Sequence, residues 1–98
     1  MAANDELRIP DEATKDADSF EILRVWIANK GQHVCLRGGV WDNPAYWGMM
    51  LADLARHIAE YHHQAEGFDR GEVLMRLKAG FDAEMAEPTD KPSGRLET

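Results

Sequence analysis

The sequence has little of what several classes of protein require. Cys35 is the only cysteine in 98 residues, so the chain can form neither an internal disulfide nor a zinc site built from cysteines. No apolar run approaches the length of a membrane span, and the N-terminal MAANDELRIP has no signal-peptide pattern. Lys and Arg number 11 against 18 Asp and Glu, giving a net charge of −7, which disfavours binding to nucleic acids or anionic membranes. The sequence therefore predicts a soluble cytoplasmic protein without a cofactor.

Hydrophobic residues make up 44% of the chain, which is typical of a globular domain. At this length the chain can bury one core of modest size. We expect a polar, partly ordered lead-in over residues 1–19, a single domain over residues 20–87 and a flexible tail over residues 88–98.

The longest run of β-branched and aromatic residues is FEILRVWIANKGQHVCL, from Phe20 to Leu36. It is interrupted once, at Asn29-Lys30-Gly31, which predicts two strands joined by a tight turn. With Lys30-Gly31 at the tip, Ile27 lies opposite Val34 and Gly31 supplies the positive φ of the turn. This even register separates an apolar face from a mixed face, whereas a slip by one residue mixes them.

Two helices are predicted after the hairpin. Asn43 and Pro44 are suited to start the first, which extends to about residue 63. Its apolar residues form one stripe: Trp47, Met50, Leu51, Leu54, Ile58, Tyr61 and Ala65. Gly67 is suited to end this helix and Asp69 to cap the next, and Pro88 ends the second helix. Leu54 and Phe81 are predicted core residues.

This order predicts an α+β fold, in which an antiparallel β-hairpin is followed by two antiparallel helices packed on one face of a small sheet.

The candidates for metal binding and nucleophilic chemistry are weak. Asp53 and His57 have the i,i+4 spacing at which two side chains can meet, but zinc usually needs further ligands. His62 projects nearly opposite His57, so a solvated helix face is favoured and we expect no bound metal. Cys35 and His33 share a strand face, yet no third group orients them. The pattern therefore favours a buried structural cysteine.

The mixed face of the hairpin is the better candidate for a binding site. In the register above, Arg24 lies opposite Arg37 and next to Trp26, and His33 shares the face. Like charges placed opposite each other destabilise a sheet unless something neutralises them. The pair could bind a carboxylate or phosphate. The alternative, which we favour, is that an acidic residue of the lead-in, such as Asp16 or Asp18, lies between them.

Several segments resemble a small bacterial family of uncharacterised proteins, found mainly in proteobacteria. The segments are FEILRVWI from Phe20, GxHVxLR from Gly31, WDNPAxWG from Trp41 and LADLARH from Leu51, and the resemblance extends over about residues 5 to 90. It implies a bacterial domain of about a hundred residues. No activity, ligand or catalytic residue comes with it.

Two functions are consistent with these observations. The first is a non-enzymatic interaction or accessory module, because no catalytic constellation is present and a two-stranded sheet is too small to be stable alone. Its apolar edge, from Phe20 to Ile27, could be covered by Leu7 to Ile9, by a second copy or by another protein. A second copy forming a four-stranded sheet is the simplest cover. The alternative is a small anionic-ligand binder or enzyme that uses Arg24, Arg37 and Trp26.

Overall fold

A computed structural model of the chain describes residues 5–89 and the backbone of residues 94–97. It confirms the α+β class. The elements in chain order are α1 (Asp11–Lys15), β1 (Leu23–Ala28), β2 (Gly31–Arg37), α2 (Ala45–Glu66), α3 (Arg70–Ala86) and β3 (Gly94–Glu97). They divide between two compact units, one with α1 and the three strands and the other with α2 and α3. The packing of the helices on the sheet and the domain limits remain predictions.

The hairpin keeps the predicted faces but not the predicted register. Val25 pairs with Val34 and Leu23 with Leu36, so each partner is shifted by two residues from the expected one. A shift by two leaves every side chain on its predicted face. It also separates the two arginines, since Arg24 lies opposite Cys35. The observed register thus avoids the direct opposition of like charges that the predicted one required.

The turn lies one residue earlier than predicted. Ala28 pairs with Gly31, and the two residues between them have positive φ, 51° at Asn29 and 63° at Lys30. Two successive residues of positive φ match the twist of the strands in a two-residue hairpin. The prediction that Gly31 supplies the positive φ was wrong, because Asn29 tolerates this conformation and Lys30 is carried into it by the closing pair.

The sheet has a third strand that the sequence did not predict. β3 pairs with β2 in parallel, from Val34 with Gly94 to Arg37 with Glu97. The strand order is β1-β2-β3, so β1 forms an outer edge. Residues 5–10 are not a strand, so cover of the edge by Leu7 to Ile9, one of the three alternatives, is not found.

The helix ends follow the predicted signals. The side chain of Asn43 accepts a hydrogen bond of 3.0 Å from the backbone of Ala45 at the start of α2. Gly67 ends α2 with φ of 75°, and its N–H bonds to the carbonyl of His63. Asp69 caps α3 by accepting from the N–H of Glu72 at 3.0 Å. The capping signals are confirmed because each depends on local backbone geometry.

The helical unit has a small core. In the described part of the chain only Ala59 of α2 and Val73 of α3 are buried, and the two helices pack against each other. The core assignment of Leu54 and Phe81 was wrong for the single chain, where they are 39% and 54% exposed. The reason is that the buried position on α2 is Ala59, which lies outside the predicted stripe.

Candidate functional site

The two arginines of the mixed face both interact with acidic segments before β1. Arg24 Nη1 lies 2.9 Å from Glu6 Oε2, and Arg24 Nη2 lies 3.0 Å from Glu21 Oε1. The hydrogen bond that Arg24 donates to Glu21 raises the pKa of the guanidinium above its ordinary value. Acidic neutralisation was predicted, but Asp16 and Asp18 were the wrong residues. Glu21 adjoins β1 and Glu6 belongs to the lead-in, and nothing in their spacing to Arg24 identified them.

Arg37 is held by different groups. Its Nε donates a hydrogen bond of 2.8 Å to the backbone carbonyl of Glu21, and its guanidinium lies 5.4 Å from the centre of the Phe20 ring. The contact with Phe20 has the geometry of a cation–π interaction. Glu21 therefore connects the two arginines, through its side chain to Arg24 and through its carbonyl to Arg37.

The other two candidates, Trp26 and His33, are direct partners across the hairpin. Trp26 is half-buried, and His33 is exposed. His33 Nε2 lies 3.0 Å from the carbonyl oxygen of Ala28, so one ring nitrogen is used to support the turn. Cys35 was predicted to be buried, but it is exposed.

A small depression lies beside the two arginines, at the end of the hairpin opposite the turn. Its volume is about 70 Å³ and its lining includes Arg24, Cys35 and Arg37. Pockets that bind small molecules usually have volumes of several hundred Å³. The mixed face thus offers positive side chains that already have acidic or carbonyl partners, next to a depression of about the size of a few water molecules.

The histidines of α2 contact neighbours within their own unit. His57 Nε2 lies 3.3 Å from Asp53 Oδ2, as the spacing predicts. His62 Nδ1 lies 2.6 Å from Glu66 Oε1, and its ring stacks on Phe68 at 5.8 Å. No group of three or more metal-ligating side chains is found among the residues that the structure describes. The absence of a bound metal remains a prediction.

A larger concavity at the corner between α2 and α3 was not predicted from the sequence. It has a volume of about 320 Å³, and it is lined by Gly67, Phe68, Asp69, Glu72, Val73 and Arg76. Asp69 is used as the cap of α3, and Arg76 donates to Glu72 at 2.6 Å. Arg76 and Glu72 are therefore paired with each other, and the Asp69 carboxylate is used by the backbone of α3.

An apolar stripe, which we call the α2 stripe, runs along α2 in the helical unit. Its members recur at alternating steps of four and three residues, the spacing of a helix-packing seam. They are Trp47, Leu51, Leu54, Ile58 and Tyr61. Leu51 is 48% exposed, Ile58 43% and Tyr61 62%. The sequence identified this stripe, and the structure leaves most of it in contact with solvent.

Comparison with known proteins places the chain in a family without an assigned activity. Residues 6–89 match the family described as Domain of unknown function (DUF5076), so the chain belongs to that family. A solved structure described as that of a "putative pyruvate dehydrogenase" from the photosynthetic bacterium Rhodopseudomonas palustrus CGA009 is similar, with 27% identity and a TM-score of 0.74 over 95% of each chain. No curated protein matches the chain. Among the described helices, none is long and apolar enough to cross a membrane.

Proposed function

We propose that this protein is a non-enzymatic interaction module of the bacterial cytoplasm and that it acts as a homodimer. The observation that carries the proposal is the exposure of apolar side chains in both units. In the sheet unit Val25 is 49% and Ile27 74% exposed. In the helical unit the α2 stripe is exposed along several turns.

Exposed apolar surface of this extent favours association. Single apolar side chains on a surface are normal, but contiguous patches mark interfaces. Each fully covered Leu, Ile or Val side chain gains about 1.5–3 kcal/mol over leaving it in water. A second copy presents the same patch, and closed two-fold dimers are the commonest assemblies.

The geometry gives less support to the alternative, an anionic-ligand site on the mixed face. Arg24 is already paired with Glu6 and Glu21, and an incoming carboxylate or phosphate would have to displace these acids. The enzyme name belongs to the similar structure, which is 27% identical to this chain.

Light scattering coupled to size exclusion tests the proposal directly. The untagged chain should elute with twice the mass of one chain of 11.1 kDa over a hundredfold range of loading concentration. Native mass spectrometry of protein purified from its own host then reports whether a small molecule is bound. A monodisperse monomer at the highest concentration contradicts the homodimer, and a stoichiometric anionic ligand would favour the alternative.

A further inference from the structure

The outer edge of β1 has no strand partner among the residues that the structure describes. β1 pairs with β2 on one side only, and β3 covers the far side of β2. No backbone hydrogen bond joins residues 5–19 to β1, so the described part of the lead-in does not extend the sheet. An exposed strand edge is a template for pairing with another chain.

The register shows which residues of β1 direct their backbone groups outward. The N–H of Arg37 donates to the carbonyl of Ile22 at 3.0 Å, which makes these two a hydrogen-bonded pair. Hydrogen-bonded and non-hydrogen-bonded pairs alternate along an antiparallel ladder. The backbone N–H and C=O groups of Leu23, Val25 and Ile27 therefore point away from β2. The side chains of the same three residues form the apolar face of the strand.

We infer that β1 pairs antiparallel with β1 of a second copy, with Val25 on the two-fold axis. This inference rests on the proposed homodimer and names its interface. Val25 lies opposite the partner's Val25, and Leu23 lies opposite the partner's Ile27. Two hairpins then join into one continuous sheet, and the outward backbone groups of all three residues are paired.

The neighbouring two-fold registers are less favourable. Centring the pair on Trp26 leaves the outward groups of Leu23 without a partner in β1. Centring it on Arg24 places that residue opposite the partner's Arg24, and like charges in this position destabilise a sheet. Shifting the β1–β1 pairing by one residue would place a residue of the apolar face opposite a residue of the mixed face. The pleat forbids this, because residues directly opposite each other have their side chains on the same face.

The mixed face also favours the register centred on Val25. Arg24, the only charged residue of β1, then lies opposite the partner's Trp26. A guanidinium beside an indole is a favourable cross-strand pair. β1 itself carries no acidic residue, and the carboxylates of Glu6 and Glu21 that lie beside it are paired with Arg24.

Opposite charges placed on the axis test this geometry. Val25→Lys puts two ammonium groups in contact across the axis and Val25→Glu puts two carboxylates there, so each variant alone should lose the homodimer. An equimolar mixture should recover a dimer that contains one chain of each kind, detected by its mass in native mass spectrometry. Val25→Thr is the matched control, since it keeps the N–H and the branched shape without charge, and it should remain dimeric.

The outcomes separate this inference from the proposed homodimer. If the wild-type chain is monomeric, both fail. If the wild-type chain is dimeric but the Lys and Glu variants stay homodimeric, or do not combine on mixing, the β1 interface is overturned and the homodimer stands. Far-ultraviolet circular dichroism of each variant checks that the strands form. Recovery on mixing also shows that the separate variants were competent to fold.

Discussion

At the scale of single residues, the clearest electrostatic feature is the contact of Glu60 in α2 with Arg70 in α3. Arg70 Nη2 lies 3.0 Å from Glu60 Oε1, and Arg70 Nε contacts the other carboxylate oxygen. Bidentate pairs of this kind are the strong form of a surface ion pair. The hydrogen bonds that Glu60 accepts from Arg70 and Gln64 lower its pKa from 4.5 to about 2.

Replacing Glu60 by Gln should lower stability in a pH-dependent way. The pKa of Glu60 is depressed in the folded state, so its contribution is fully present above pH 4.5 and is lost as the pH falls through about 2. We expect a lower urea midpoint for Glu60→Gln than for the wild type at neutral pH, and a difference that shrinks between those two pH values. Added salt should reduce it as well.

Glu12→Gln is the control, because Glu12 is 91% exposed and lies 3.6 Å from Lys15 within α1. It should change the midpoint little at any pH. A Glu60→Gln difference that stays constant down to pH 2 would show that the substitution acts through packing and not through charge.

At the scale of the element, the hairpin depends on where its turn lies. Asn29 and Lys30 both have positive φ, although only Asn among these two adopts that conformation readily. Gly31, next to them, has no positive φ and belongs to the closing pair with Ala28. The turn therefore contains a strained lysine although a glycine lies one position later. Two substitutions can distinguish the observed turn at Asn29-Lys30 from the predicted turn at Lys30-Gly31.

Lys30→Gly should stabilise the hairpin by about 1 kcal/mol, because it removes the steric cost of a left-handed side chain and creates the Asn-Gly pair preferred in such turns. Gly31→Ala should be tolerated, since a Cβ there would meet His33 Nε2 at 3.7 Å and the carbonyl of Ala28 at 3.8 Å, both ordinary contacts. Thermal unfolding of the two variants measures the effects. A clearly destabilised Gly31→Ala, the result expected if Gly31 had a positive φ, would contradict the Asn29-Lys30 turn.

At the scale of the whole molecule, the exposed apolar side chains link stability to association. A dimer that covers the α2 stripe has a melting temperature that rises with protein concentration, because only the folded state associates. Leu54→Glu should weaken this dependence by placing a carboxylate in the stripe. Ala52→Glu adds the same charge to α2 at an exposed position two residues away, which faces a different side of the helix, and it should keep the dependence.

Differential scanning calorimetry at several protein concentrations measures the melting temperatures of the two variants. Equal behaviour of Leu54→Glu and Ala52→Glu would mean that the α2 stripe is not part of the dimer interface. The β1 pairing would remain testable by the Val25 variants alone.

The sequence by itself determined the local features of this protein. The two strands and two faces of the hairpin depend on side-chain alternation, and the caps at Asn43, Gly67 and Asp69 depend on backbone preferences of neighbouring residues. Both are local properties. The apolar stripe of α2 follows from helical periodicity in the same way. A zinc site built from cysteines is excluded by composition, because Cys35 is the only cysteine.

The tertiary structure decided what depends on contacts between distant segments. The predicted register of the hairpin differs from the observed one by two residues, because both registers keep the same side chains on each face. The cost of placing two arginines opposite each other depends on both strands together and is not visible in either strand alone. β3 pairs with β2, which is distant from it in the sequence, so the residues next to β3 did not indicate a strand. Glu6 contacts Arg24 only because the fold brings the lead-in to β1. Ala59 rather than Leu54 is buried because packing selects one side of α2, and periodicity alone does not determine which side.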